Sequence, residues 1–387
     1  MSPLRLTDEQ EMLLGSLREF LDREVPASMI REFDREDRPP MELREKMKPL
    51  GVFGLTVPEE FGGAGRCVTE AVMVVEELSR VWPALAWIYI GTAFYGGENI
   101  YKLGSEEQKR AFLPRLASGD LLFAYALTEP EAGSDTLSIR TRATREGSTY
   151  ILEGTKTFIS LPDHADWIIV LARTERSEDP RHGLTFFLVP RRSEGLSFNP
   201  IEKLGYKGST LCEVVLDRVP VPEENILGGT GCRDRGWEQL LKTLDVEHLE
   251  IAACGTGLAQ GAFDLAKEYA VQRTQFGRPI VKFQAVAHML ADMATNIQAS
   301  RLMVRECCSL IEEGLPAGLE ACMAKYFATE TAKKCALDAL QIYGGLGYTM
   351  ECDVQRYVRD SLVLTIGGGT SQILKNQIAS LIYKSRR

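Results

Sequence analysis

The stretch YILEGTKTFIS, residues 150–160, interrupts a chain that reads as helical on either side of it. Its β-branched and aromatic residues suit a strand. DWIIVLART (166–174), LTFFLVPR (184–191) and CEVVLDRVPV (212–221) repeat that texture. Turn-rich segments, EPEAGSD (129–135) and TERSEDPRHG (174–183), separate them. Short strands with no long helix between them predict an antiparallel barrel or sandwich, not a parallel nucleotide-binding sheet.

Outward from this block the period changes. EQEMLLGSLREFLDREV (9–25) and TEAVMVVEELSRVW (69–82) carry apolar residues at three- and four-residue spacing, the mark of amphipathic helices. Thr7 with Gln10 reads as a capping box, and Ser105 opens a further helix that closes near Gly119. From Gly236 onward long helical periodicity returns, clearest over residues 237–273. The fold class is therefore α+β and multidomain. An N-terminal helical domain (1–119) precedes a middle antiparallel β domain (120–228) and a C-terminal four-helix-bundle domain (229–387). GGAG at 62–65 and GGLG at 344–347 lack the strand-before, helix-after setting of a dinucleotide fingerprint and read as turns.

Composition narrows the function classes. A net charge of −9 argues against nucleic-acid binding and against an anionic membrane surface. No apolar run reaches the roughly 18 residues of a spanning helix. The first twenty residues have neither a secretory nor a transit pattern, which places the mature start near residue 1 and the protein in the cytoplasm. The nine cysteines form no CxxC pair and the four histidines are scattered, so reduced thiols and no metal site are expected.

Four ordered segments carry the chemistry: YALTEPEAGSD (125–135), GTKTFIS (154–160), QRTQFGRPIVKFQ (272–284), and QIYGGLGY (341–348) followed by GGGTSQIL (367–374). In sequence and in order they resemble the acyl-CoA dehydrogenase family, and the resemblance covers essentially the whole chain. It implies the family's fold, an FAD cofactor and an acyl-CoA thioester substrate. It implies an electron-transferring flavoprotein as electron partner, and a homo-oligomer, usually a tetramer.

By that resemblance Tyr125, Leu127, Thr128, Phe158 and Ser160 line the flavin ring. Arg273, Phe276 and Gln284 hold the pyrophosphate and adenosine, in part from a neighbouring subunit. Arginine suits this task because its planar fork donates paired hydrogen bonds to anionic oxygens. Gln341, Gly344 and Gly345 approach the adenine side, and Thr370 and Gln372 make the last cofactor contacts. Ser134 and Asp245 match residues near the CoA arms. His248 stands where the family often has an arginine contacting the CoA nucleotide.

The base is the departure from the family pattern. Most members carry a glutamate at the position of Gly368, where this chain has no side chain. Glu247 matches the alternative position of the isovaleryl- and long-chain branches. The small residues after it, Ala252, Ala253 and Gly255, suggest a helix face that a ligand can approach. A desolvated carboxylate there would have a raised pKa, suited to removing an α-proton. The implied reaction has Glu247 take the α-proton while the β-hydride passes to flavin N5, giving a trans-2-enoyl-CoA. The Gly368 N–H and a flavin ribityl hydroxyl polarise the thioester carbonyl. Gly367 and Gly368 also remove bulk, leaving room for a wide acyl group. The alternatives are an enoyl-CoA reductase running the same chemistry in reverse, a flavin oxidase, or a non-catalytic CoA-ester-binding homologue.

Overall fold

A computed structural model describes residues 5–384. α1 (Asp8–Glu24) opens on the Thr7–Gln10 capping box and buries Leu14, Leu17, Phe20 and Leu21. α2 (Ala27–Glu36), α3 (Met41–Met47) and a series of short 3₁₀ turns lead to α4 (Val68–Val81), which is buried over most of its circumference. α5 (Pro83–Ile90) runs directly into a π-helical segment, Gly91–Glu98, and then into α6 (Asn99–Leu103) and α7 (Glu106–Ala117). The wide turn sits where backbone must come close to neighbouring groups. A Cβ on Gly91 would stand 2.6 Å from Leu122 Cδ1 and 2.9 Å from the Phe123 carbonyl oxygen. The widened turn also directs Phe94, Tyr95 and Glu98 into one cavity.

The middle domain is a seven-stranded sheet: β1 (Phe123–Ala126), β2 (Arg142–Glu146), β3 (Thr149–Ser160), β4 (Trp167–Arg173), β5 (Leu184–Pro190), β6 (Leu196–Pro200) and β7 (Leu211–Pro222). Its order is β1-β4-β2-β3-β7-β6, with β5 also on β4. Pairing is antiparallel for β2–β3, β3–β7, β4–β5 and β6–β7, whereas β4 runs parallel to β1 and meets β2 in parallel at one position. β4 reads as a continuous apolar run because both its faces are covered. Ile168, Val170 and Ala172 enter the core inside the sheet. Ile169 and Leu171 enter a second core shared with Leu113 and Leu116 of α7.

α8 (Gly236–Gln272), α9 (Gln284–Glu312), α10 (Gly318–Tyr343), α11 (Val354–Leu364) and α12 (Ser371–Lys384) build the C-terminal helical domain. A two-stranded hairpin, β8 (Thr274–Gln275) and β9 (Arg278–Pro279), joins the first two. The small residues of α8 serve helix packing and not ligand approach, which corrects the expectation for Ala252, Ala253 and Gly255. All three are buried, and a Cβ on Gly255 would meet the Ala328 carbonyl oxygen of α10 at 2.9 Å. Backbone contact this close is possible only for glycine. No helix among the described residues is long and apolar enough to cross a membrane.

Candidate active site

α8 presents Thr243, Val246, Glu247 and Glu250 to a narrow, nearly closed cavity. Their spacing of three and four residues puts them on one face. Across the cavity stand Phe94, Tyr95, Glu98 and Asn99 from the π turn and the start of α6, with Tyr125 of β1. Tyr95 and Tyr125 stack at 5.5 Å, and Tyr125 rests 5.7 Å from Phe186. Glu98 is buried but paired, with Arg66 at 3.0 Å and Lys102 at 2.9 Å. Burial raises the pKa of the Glu247 carboxyl, and the nearby Lys325 ammonium opposes that rise. Glu250 is pushed well above the usual carboxylate range, first by burial and then by Glu247 and Glu98.

The chain after α11 turns through Gly367, Gly368 and Gly369. Gly368 has φ +58°, and a Cβ there would collide with Ile251 Cδ1. A side chain at 368 would have to adopt a backbone conformation that favours glycine and would displace the tip of the Ile251 side chain. That Cβ position lies 3.7 Å from Glu247 Oε1 and 3.7 Å from Lys325 Nζ. The turn and the helix-borne carboxylate therefore share one small volume. Lys325, fully buried on α10, donates to the carbonyl oxygens of Gly367 at 2.7 Å, Gly368 at 2.6 Å, and Gly369. The Gly367 carbonyl belongs to the same peptide unit as the Gly368 N–H. An ammonium on that oxygen polarises the peptide and makes the N–H a stronger donor. No acceptor among the described residues takes this N–H.

On the sheet side, β3 and β7 slip register between Lys156 and Ile159. Phe158, held at φ +58°, is thrown outward at this bulge and is 61% exposed. Beneath it Lys156, with no exposed surface, donates to the Leu127 carbonyl at 3.0 Å and to Glu129 at 2.8 Å. Glu129 also accepts from the backbone N–H groups of Arg140 at 2.6 Å and Thr141 at 2.9 Å. The loop that bears Thr128 and Ser134 is pinned at both ends. Burial pulls Lys156 down to about 8 against the pull of Glu129. An outward aromatic face, the partly exposed hydroxyls of Thr128 and Ser160, and rigid backbone at Leu127 form a surface that fits a flat ring with polar edges, the demand of a flavin.

The other sequence-predicted residues fall elsewhere. Arg273 ends α8 and is exposed beside the β8–β9 hairpin, with no ion pair among the described residues. Phe276 is 94% exposed at φ +50°, and Gln284 starts α9 in the open. Gln341, Gly344 and Gly345 lie exposed around the end of α10, as do Gly367 before the glycine turn's centre and Gln372 on α12. The Thr370 hydroxyl accepts from the Ile373 N–H at 3.2 Å. Asp245 is half-buried with its carboxylate 3.4 Å from the Cβ position of Gly318, the first residue of α10. His248 is buried, with Nδ1 3.7 Å from Cys322 Sγ, and burial lowers it to about 3. It is a neutral ring beneath the glycine turn and not a surface group, so a CoA nucleotide contact has no support here.

Sequence reasoning missed Lys325, Glu250, Glu98, Tyr95 and the Lys156–Glu129 pair. Glu250 could have been found, since it follows Glu247 by three residues on the same helix face. Lys156 and Glu129 lie inside two of the quoted motifs.

Comparison with known proteins agrees with this architecture. Profiles of the acyl-CoA dehydrogenase N-terminal, middle and C-terminal domains match residues 7–120, 124–219 and 234–382. The chain is similar to an acyl-CoA dehydrogenase of Bacillus subtilis, 41% identical over 372 residues that cover 96% of this chain and 97% of that protein. A subunit of the caffeyl-CoA reductase–Etf complex of Acetobacterium woodii is 37% identical, with 98% and 99% covered. Among solved structures, butyryl-CoA dehydrogenase of Megasphaera elsdenii matches with a TM-score of 0.94 at 34% identity, covering 98% of this chain and 99% of that one.

Proposed function

The chain belongs to the acyl-CoA dehydrogenase family of FAD flavoproteins, and on that premise we propose that Glu247 is the base in the α,β-dehydrogenation of an acyl-CoA thioester. One observation carries this reading: the Glu247 carboxylate and the unengaged Gly368 N–H border the same small volume. A thioester carbonyl seated on that N–H has its α-carbon acidified, and Glu247 is the carboxylate in reach of the α-proton. Its raised pKa narrows the gap to a weakly acidic C–H. Lys325 holds the glycine turn in place and sharpens the Gly368 donor. FAD supplies the two-electron acceptor that takes up the β-hydrogen with its bonding electrons.

Tyr125, Leu127, Thr128, Phe158 and Ser160 would hold the ring of that cofactor. Arg273, Phe276, Gln284, Gln341, Gly344, Gly345, Thr370 and Gln372 would hold its pyrophosphate and adenosine, some of them from a second copy. Phe276 and Tyr348, exposed at 94% and 88%, would be covered in a homo-oligomer, of which a tetramer is the proposed form. Ser134, exposed on the pinned loop, and Gly367, exposed before the glycine turn, would meet the CoA arm. An electron-transferring flavoprotein is the proposed electron partner, and the nine free thiols fit a reducing cytoplasm.

The reverse direction uses the same residues. It is favoured by one finding, the similarity to a subunit of a caffeyl-CoA reductase complex. The test is an anaerobic absorbance titration of the yellow protein with paired acyl- and enoyl-CoA esters, the latter after dithionite reduction. Bleaching by at least one saturated ester, or reoxidation by its enoyl partner, is the expected result. Indifference to every CoA ester would refute the reading.

A further inference from the structure

Glu250 is absent from the reaction as derived above, yet it follows Glu247 by one turn of α8 and lines the same cavity. Glu247 keeps some exposed surface, whereas Glu250 has 1%, so the pair runs from the open side of the site inward. Among the described residues Glu250 Oε1 has no hydrogen-bond partner, and a buried acceptor in that state calls for an explanation. The cavity has room for about one water, with the carboxyls of Glu247, Glu250 and Glu98 and the amide of Asn99 as polar partners. Burial, reinforced by Glu247 and Glu98, keeps Glu250 in its acid form. A carboxylic acid can accept on one oxygen while it donates from the other. Beyond it stands Glu98, itself buried, whose partners Arg66 and Lys102 have side chains 27% and 24% exposed. The line of acids thus ends at groups that touch solvent. Glu247 collects one proton in each turnover and must lose it before the next. An ester whose carbonyl sits on the Gly368 N–H covers the open side of Glu247, which leaves the cavity behind it as the way out.

We propose that Glu250 is a proton relay: one water in the cavity carries the proton from Glu247 to the free Glu250 oxygen, and the other Glu250 oxygen passes a proton on toward Glu98. The relay rests on the reading of Glu247 as the base and adds the route by which that base is reset. The α-C–H bond breaks and Glu247 gains an O–H. The water takes that proton and gives one of its own to Glu250 Oε1, and Glu250 releases its original proton to Glu98. At the outer end the Lys102 ammonium gives a proton to solvent and takes the one that has reached Glu98. One proton enters and one leaves, and each carboxyl returns to its starting form.

The test uses the flavin-loaded protein in heavy water without oxygen. A 3-thia acyl-CoA, with sulfur in place of the β-carbon, has an acidic α-C–H and no β-hydrogen to give up, so mass spectrometry of the recovered ester reads proton exchange alone. Flavin bleaching by a saturated ester reads proton abstraction coupled to hydride transfer. Glu250→Gln keeps the shape and polarity of the acid but cannot pass a proton, so the abstracted proton returns to the carbon it left. The ratio of exchange rate to bleaching rate should fall at least about tenfold in Glu250→Gln and about threefold or more in Lys102→Met, with flavin content reporting that each variant folds. A side chain that merely filled space would lower both rates together and leave the ratio where it was. A ratio within about twofold of normal in Glu250→Gln would overturn the relay, and if that variant loses its flavin, the same result in Lys102→Met would do so. Absence of both exchange and bleaching in the unaltered protein, across a panel of esters, would instead sink the dehydrogenase reading itself.

Discussion

Glu247 and Lys325 meet with opposite burial penalties, since burial raises the carboxyl and lowers the ammonium to about 8. Each moderates the other's shift. Three carbonyl acceptors on Lys325 further favour its charged form. Glu247 must be ionised to accept a proton, so turnover rises with pH through its raised pKa. Lys325 must be protonated to hold and polarise the turn, so turnover falls as pH climbs past the ammonium's value. A bell-shaped profile follows. Lys325→Met should lower kcat on the order of 10- to 100-fold, because the oxyanion donor is weakened and no longer fixed. With the opposing cation gone, the rising limb should move to higher pH. A lysine that merely filled space would leave the position of that limb unchanged.

At the scale of elements, the loop 127–141 and the β3 bulge are held by one buried ion pair. Lys156 has no exposed surface and Glu129 is nearly as enclosed. Removing one partner leaves the other charged and dry, which costs about 3 to 5 kcal/mol in buried pairs. Lys156→Met should therefore lower the denaturant midpoint of the protein and weaken flavin retention together, read by fluorescence and by the absorbance of bound FAD. Retention of flavin in a destabilised variant would separate the pair from the cofactor surface. Glu129 was legible as part of a motif but not as an anchor, because its partners lie 11, 12 and 27 residues away. The π turn was likewise hidden. GTAFYGGE has no helical period to read, and its glycines are explained only by tertiary contacts: Gly91 with Leu122 and Phe123, Gly96 with Leu116 and Gly97 with Thr56. The parallel joining of β1 to β4 depends on how the sheet is assembled, which no local pattern records.

Across the whole molecule, the helix–β–helix division was readable because the 3.6 period is sustained over α8 and α9 while the middle of the chain is short β-branched and aromatic runs parted by turns. Glu247 is proposed from the lack of a side chain at 368, and the structure adds that the Cβ position of Gly368 lies 3.7 Å from the Glu247 carboxylate. What could not be read was the convergence of α8, the π turn and β1 on one cavity, with the α10 lysine beside Glu247, since these lie in all three parts of the chain. The central claim, that the helix-borne carboxylate is the base, belongs to this convergence. Its most direct measurement is single-turnover bleaching of the flavin in Glu247→Gln, with the ester that bleaches the unaltered protein fastest. The account predicts full flavin content, normal ester binding, and a bleaching rate reduced by at least about 10²-fold, because a positioned general base contributes about 10²–10⁴. A Glu247→Gln protein that keeps its flavin and bleaches within about threefold of the normal rate would contradict it.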